Sequence, residues 1–166
     1  MRGISPVMTD REGCRSRIEE LLDSQLVGVL ATGAGGRPYA SLVAFAYTGD
    51  LERMAFATPR DSRKYSDMME NPGVALLIDD RRNEVADFQG AVAVTVMGRA
   101  RESVGREREA LLNLYSERHP SLENFATSAS TALMVVEVER YRMVLRFQQV
   151  EELWIGAREG LEQEES

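Results

Sequence analysis

Hydrophobic and polar residues alternate through several short runs of the chain, and turn-forming residues bound each run. Alternation with a period of two is typical of strands that bury one face. The pattern predicts six strands, at residues 25–32, 39–48, 51–58, 73–80, 91–103 and 131–147. The last is either one long strand or two strands joined at a bend. Gly98, inside the fifth strand, marks a bulge or a close approach of two backbones.

Helical spacing of apolar residues appears between the strands. It predicts a helix from a Thr9–Asp10 cap to about residue 23, and a second helix at residues 62–70 with Asp61 as its N-cap and Asn71-Pro72 as its end. A third helix is predicted at residues 105–119 and a short helical piece at 121–125, while residues 81–88 are predicted to form a polar loop. The helices therefore lie between and after the strands without forming strand–helix–strand repeats.

Short connections between successive strands favour antiparallel pairing, and the Gly33–Gly36 run fits a hairpin turn better than a phosphate-binding loop. Small antiparallel sheets usually close into barrels, which removes exposed strand edges. The sequence therefore predicts a mainly β fold, a six-stranded antiparallel barrel with peripheral helices. We expect one domain over residues 1–166, with about 1–9 and 157–166 flexible.

Composition narrows the possible functions. The 166 residues carry a formal net charge of −7, and this acidity argues against binding to nucleic acid. The N-terminal residues contain no apolar segment typical of a signal peptide, and no apolar run is long enough to span a membrane, so a cytoplasmic location without membrane contact is expected. The single cysteine, Cys14, excludes an internal disulfide and is assigned no role. The Asp79–Asp80 pair is interpreted as solvated, and no metal site is predicted.

Three cations, Arg60, Arg63 and Lys64, gather where the third strand ends and the second helix begins. Cations at a helix N-terminus face the positive end of its dipole, which costs about 0.3–1 kcal/mol each. They could form a solvated face paired with carboxylates of the same helix, namely Asp61, Asp67 or Glu70. Alternatively they surround a bound anion, for which free helix N–H groups, the Ser62 hydroxyl and the two adjacent cations would be suitable ligands.

The order of three motifs, GxPxxSLVxF, FATPRDSRKYxxMxxNPxVALLIDD and AVTVMGRA, resembles the pyridoxamine 5′-phosphate oxidase-like family of FMN-binding split barrels. The resemblance covers roughly residues 15–103 and, more loosely, the following helix and last strand. It implies a homodimer with FMN at the subunit interface. It also implies that the FMN phosphate is held by the run Ser62, Arg63 and Lys64, that Ala57 and Thr58 lie against the cofactor, and that backbone groups of Ser41, Leu42 and Val43 line the isoalloxazine ring. Arg60 is a weaker candidate for the phosphate.

The chain departs from the authentic oxidases of that family. Ser41 and Ala46 stand where those enzymes have an arginine and a lysine, and Trp154 and Arg158 are not followed by the histidine of their substrate signature. Oxidation of pyridoxamine phosphate is therefore not expected. The resemblance implies an FMN-dependent oxidoreductase of unknown substrate, with no catalytic residue assigned.

Other functions on the same fold stay open. The stretch YSERHPSLENF resembles the haem-utilisation branch of the superfamily, and it holds His119, the only histidine of the chain. A lone histidine before a proline is more often a polar residue at a helix end, where its charge suits the dipole. The alternatives are a haem-binding module, a flavin-binding module without turnover, and a reductase that uses the deazaflavin F420.

Overall fold

The computed structural model describes residues 10–146 and 149–156. The strands are β1 Val27–Ala34, β2 Arg37–Tyr47, β3 Arg53–Pro59, β4 Gly73–Asp79, β5 Ala93–Glu102, β6 Thr131–Leu145 and β7 Gln149–Trp154. The helices are α1 Arg11–Ser24, α2 Arg63–Glu70, α3 Asp87–Gly90, α4 Gly105–Arg118 and α5 Glu123–Thr127, with a 3-10 turn at Pro120–Leu122 before α5. The terminal segments predicted to be flexible, 1–9 and 157–166, lie outside the described residues.

The strands form one antiparallel sheet that closes on itself. Their order is β3-β2-β1-β4-β5-β6-β7, and β3 also pairs with β6, so that β1 to β6 make a six-stranded barrel and β7 extends it beyond β6. β2 pairs with β1 over Arg37–Ala44 but with β3 only at Phe45, Ala46 and Tyr47. The first half of β2 is therefore not paired with β3, and the barrel is split there. The predicted antiparallel barrel is confirmed.

Side-chain alternation along the strands creates two hydrophobic layers. Inward residues such as Phe45, Phe56 and Tyr141 fill the barrel, and α1 adds Ile18 and Leu22 to the same cluster. Outside the barrel, α4 places Leu111 and Tyr115 against a surface of small residues, Ala46, Ala55 and Ala57. Each large apolar side chain buried in this way contributes about 1.5–3 kcal/mol. The alanines let α4 approach β2 and β3 closely.

One outer face of the barrel carries exposed apolar side chains. Val29 pairs with both Leu42 and Leu77, so these residues form a row across β2, β1 and β4. Leu42 is 70% exposed and Leu77 36% exposed. We call this surface the outer apolar face; it comprises Val27, Val29, Ala31, Leu42, Ala75 and Leu77. Side chains of this kind are usually covered by a partner or a ligand when they form one continuous surface.

The predicted bulge or close approach at Gly98 is confirmed. The register between β5 and β6 shifts between Met97 and Gly98. A Cβ atom at position 98 would lie 2.1 Å from the carbonyl oxygen of Glu137, a contact that no side chain tolerates. Glycine is required here because the two backbones come too close for any larger residue. The two-residue turn between β1 and β2 likewise needs positive φ angles, 57° at Gly35 and 73° at Gly36.

Three sequence-based predictions need correction. Of the two alternatives for the last predicted strand, one long strand is correct, and it is β6; a seventh strand, β7, follows it and was not predicted. The adjacent residues Glu151 and Glu152 break the alternation of polar and apolar residues that would indicate a strand. One of them, Glu151, is buried and pairs with Arg17 of α1. The N-cap of α2 is Ser62 and not Asp61, since Ser62 has extended backbone angles and its hydroxyl accepts from the Tyr65 N–H. The predicted polar loop also contains the start of the short helix α3.

Candidate functional site

The start of α2 is joined to the end of β3 by a pair of hydroxyl groups. Thr58 is fully buried at the end of β3, and its Oγ1 lies 2.8 Å from the Oγ of Ser62. The Ser62 hydroxyl also accepts a hydrogen bond from the Tyr65 N–H at 3.3 Å. These contacts fix the direction in which α2 leaves the sheet. Two predicted site residues, Thr58 and Ser62, are thus in direct contact.

Arg63 is the first residue of α2 and lies between the helix and the β1–β2 hairpin. Its guanidinium carbon is 4.4 Å from the centroid of the Tyr39 ring, a cation–π contact with β2. Its Nε lies 3.9 Å from an oxygen of Asp67, and that same oxygen accepts a hydrogen bond from Thr32 of β1 at 2.9 Å. The Arg63 side chain is still 53% exposed. A ligand can therefore reach it.

Lys64 and two backbone amides remain available at the start of α2. Lys64 is half-buried, and its ammonium group has no ion pair or hydrogen bond with any residue that the structure describes. The N–H groups of Arg63 and Lys64 likewise have no acceptor among the described residues. Unpaired N–H groups together with two cations make the end of a helix an anion-binding surface. We call Ser62, Arg63 and Lys64 the basic corner.

The guanidinium of Arg60, the weaker candidate, is already paired within the protein. Its guanidinium pairs with Glu102 at the end of β5 and donates to the carbonyl oxygen of Ala129 at 2.5 Å. Glu102 also accepts a hydrogen bond from the Tyr65 hydroxyl at 3.0 Å, and this bond raises the pKa of Tyr65. Arg60 therefore joins β3 to β5 and the loop before β6. Of the three cations, Arg63 and Lys64 are the two whose charge is open to a ligand.

The predicted ring-binding residues of β2 differ in orientation. The Ser41 hydroxyl is buried and has no hydrogen-bond partner among the described residues. Leu42 points outward on the outer apolar face, and Val43 points into the barrel with 5% exposure. Because β3 does not pair with this part of β2, backbone groups along that edge of residues 41–43 are free of strand pairing. Val43 could therefore contact a ligand through its backbone only.

Ala57 has the same limitation as Val43. It is 8% exposed and belongs to the cluster in which Leu111 and Tyr115 of α4 pack against the sheet. Only its backbone can take part in a site at the end of β3.

The residues around Arg63 were predicted only in part. Asp67 was one of the carboxylates of the same helix considered as a partner of the cations, and it lies four positions after Arg63 on the same side of the helix. Tyr39 and Thr32 could not, because they reach Arg63 and Asp67 from the hairpin through tertiary packing alone. Glu102, which forms the ion pair with Arg60, likewise lies far from its partner in sequence.

His119 lies at the C-terminal end of α4, as predicted for a helix-terminal residue. It is 6% exposed, its Nε2 is 2.7 Å from the carbonyl oxygen of Phe45, and its ring is 4.9 Å from that of Tyr115. These contacts satisfy one ring nitrogen inside the protein. Ligation of a haem iron through Nε2 would require this bond to break.

The acidic pair at the end of β4, Asp79 and Asp80, has partners within the protein. Asp79 pairs with the Nε of Arg81 at 3.1 Å, and Asp80 accepts a hydrogen bond from the Val92 N–H at 2.8 Å. No group of three or more histidine, cysteine or acidic residues within residues 10–146 and 149–156 is placed to hold a metal ion.

None of the helices within the described residues is both long enough and apolar enough to cross a membrane.

The fold defines this protein as a split antiparallel barrel, and comparison with known proteins identifies the family. The family model for pyridoxamine 5′-phosphate oxidase matches residues 15–145. Because the match covers most of the chain, this protein belongs to that family. No curated protein matches the sequence.

Solved structures share the fold at low sequence identity. The haem binding protein from Mycobacterium smegmatis has a TM-score of 0.75 and 20% identity; the match covers 92% of this chain and 60% of that protein. HutZ, the haem storage protein from Vibrio cholerae, has a TM-score of 0.66 and 17% identity, covering 79% and 93%. A FAD-binding protein from Mesorhizobium loti has a TM-score of 0.61 and 19% identity, covering 77% and 90%. At these identities the likeness establishes the fold.

Proposed function

We propose that this protein binds FMN and acts as a flavin-dependent oxidoreductase of the pyridoxamine 5′-phosphate oxidase-like superfamily. The observation that carries the proposal is the basic corner. There, Arg63 and Lys64 offer two cationic side chains and two amide N–H groups without acceptors among the described residues. A phosphate dianion would supply those acceptors and would offset the charge that two cations place at the start of a helix.

The neighbouring strand fits the other half of FMN. The unpaired edge of β2 offers backbone donors and acceptors at residues 41–43, and the buried Ser41 hydroxyl lacks a partner among the described residues. A flavin ring carries polar atoms along one edge, which such groups could bind. Tyr39 connects the two halves, since it lies on β2 and contacts Arg63 of the basic corner.

A second copy of the chain would complete the site. Leu42 follows Ser41 on β2 and belongs to the outer apolar face, 70% exposed in the single chain. Pairing two such faces would bury the exposed row Leu42, Val29 and Leu77 and enclose the open seam beside it. We therefore place FMN at the interface of a homodimer.

The protein's own contribution would be binding and orientation. FMN, when bound, supplies the electron-transfer chemistry, while Arg63 and Lys64 would hold its phosphate and the β2 backbone would orient its ring. No side chain is assigned as acid or base. Ser41 and Ala46 replace two cations of the authentic oxidases, so we propose a substrate other than pyridoxamine phosphate. We also propose a cytoplasmic location.

Haem and F420 are the competing ligands, and two of the similar structures are named for haem. The described contacts of His119 do not favour haem, because its Nε2 is held by Phe45. An absorption spectrum of the protein reconstituted separately with FMN, haem and F420 tests the proposal. We expect saturable binding of FMN at one molecule per chain. Binding of haem or F420 in preference to FMN would refute it.

Turnover is tested separately. If the protein is an oxidoreductase, NADH or NADPH should bleach the visible flavin bands without oxygen, and air should restore them. A flavin that no nicotinamide donor reduces would favour the alternative of a binding module without turnover.

A further inference from the structure

Asp67 is a buried carboxylate next to the basic corner. It is 8% exposed and is one of two buried residues in α2. Its Oδ2 accepts from the Thr32 hydroxyl at 2.9 Å and lies 3.9 Å from the Nε of Arg63. Because burying a carboxylate is unfavourable unless it is paired and hydrogen-bonded, the two contacts indicate a specific role for this side chain.

Helix stability does not explain the pair. Arg63 precedes Asp67 by four residues, and this order is the less favourable one for an ion pair on a helix. Arg63 also faces the positive end of the α2 dipole. The carboxylate does, however, restrict the guanidinium from one side, while the Tyr39 ring contacts it 4.4 Å away. The head group is thus held by two elements and yet stays 53% exposed.

We infer that Asp67 is a positioning residue that holds Arg63 in the orientation needed to bind the FMN phosphate. Thr32 fixes the carboxylate from β1, and the carboxylate in turn fixes Arg63. An arginine that is already ordered loses less conformational freedom when its ligand binds, so affinity is higher. This inference rests on the proposed function, since it concerns the same phosphate site.

Two other roles for Asp67 predict different results. If its charge merely repelled a nearby phosphate, removing that charge would tighten FMN binding. If Asp67 served only to attach α2 to β1, its removal would lower stability and would affect ligands with and without a phosphate equally. The sign of the effect and its dependence on the phosphate therefore distinguish the three roles.

The test is Asp67→Asn, which keeps the size of the side chain and an oxygen for Thr32. Fluorescence quenching measures the Kd of FMN and of riboflavin, which lacks the phosphate. We expect the FMN Kd to rise roughly 3- to 10-fold and the riboflavin Kd to stay unchanged. In an Arg63→Ala background, Asp67→Asn should have no further effect on FMN. Glu19→Gln is the matched control, because Arg15 and Glu19 form an ion pair of the same order and spacing on α1.

An unchanged or lower FMN Kd, an equal loss for riboflavin, or an additive loss in the Arg63→Ala background would overturn the inference. If Asp67→Asn does not fold, Tyr39→Leu replaces it, since that change removes the other contact of the guanidinium. It should weaken FMN binding selectively, and an absent or unselective loss would count against the inference. A wild-type protein that binds FMN no better than riboflavin would instead refute the phosphate site itself.

Discussion

Replacing both open cations of the basic corner, Arg63→Ala with Lys64→Ala, should abolish tight FMN binding while leaving the fold intact. Hydrogen bonds to charged groups contribute about 1.5–3 kcal/mol each. Loss of one such interaction from each side chain therefore removes at least about 3 kcal/mol of binding free energy, which corresponds to a Kd at least about 100-fold higher. Riboflavin should bind the double variant nearly as well as it binds the wild type.

The same change should have little effect on stability. Arg63 is 53% exposed and its pair with Asp67 is long, at 3.9 Å, so the pair contributes no more than about 1 kcal/mol. Removing two cations from the start of α2 also relieves an unfavourable interaction with the helix dipole. We therefore expect the melting temperature to change by no more than about 4 °C.

The assay is titration of apoprotein with FMN and riboflavin, followed by flavin fluorescence, with circular dichroism as the check on folding. The matched control is Arg81→Ala with Arg82→Ala, which removes the same charge from the exposed connection after β4. An FMN affinity equal to that of the wild type would refute the phosphate site. A loss of the same size in the control would show that net charge, and not the corner, governs binding.

Three further predictions concern the interface, the core and the cysteine. Leu42→Asp should place an unpaired charge on the outer apolar face and raise the dissociation constant of the proposed homodimer at least about 100-fold. Light scattering would contradict this if the variant were as dimeric as the wild type at micromolar concentration. Gly98→Ala should lower the free energy of unfolding by about 2–4 kcal/mol, because its Cβ would meet the Glu137 carbonyl oxygen at 2.1 Å; a urea curve matching the wild type would contradict it. Burial and the Glu151 carboxylate raise the pKa of Cys14 to about 11, so at pH 8 the thiolate fraction is about one in a thousand. A thiol reagent should therefore label Cys14 only after unfolding, and fast labelling of the native protein would contradict this.

Strand and helix periodicity predicted most of the barrel because one face of nearly every element is buried. The exceptions follow from tertiary structure. β7 lacks an alternation of charged and apolar residues, since Glu151 and Glu152 are adjacent. Its buried Glu151 pairs with Arg17 of α1, a contact that the sequence does not reveal. Asp61 was predicted to cap α2, but Ser62 is an equally good cap by residue type. The hydrogen bond that the Ser62 hydroxyl accepts from the Tyr65 N–H shows that Ser62 is the cap.

The basic corner could be located from sequence because its members are adjacent, and the family resemblance supplied their role. The arrangement of side chains around the basic corner could not be predicted from sequence. Arg60 was the weaker candidate from sequence, but its ion pair with Glu102 of the distant strand β5 could not be predicted. Tyr39 and Asp67 contact Arg63, and Thr32 bonds to Asp67. Sequence spacing gives no sign of these contacts except between Arg63 and Asp67.

A crystal structure of the protein grown with FMN is the measurement that tests the central claim most directly. We expect phosphate density within hydrogen-bonding distance of the Arg63 and Lys64 amides and side chains, and a flavin ring along β2 enclosed by a second copy of the chain. Phosphate density at another position, or a ring bound away from β2 and from the interface between two copies, would contradict the account.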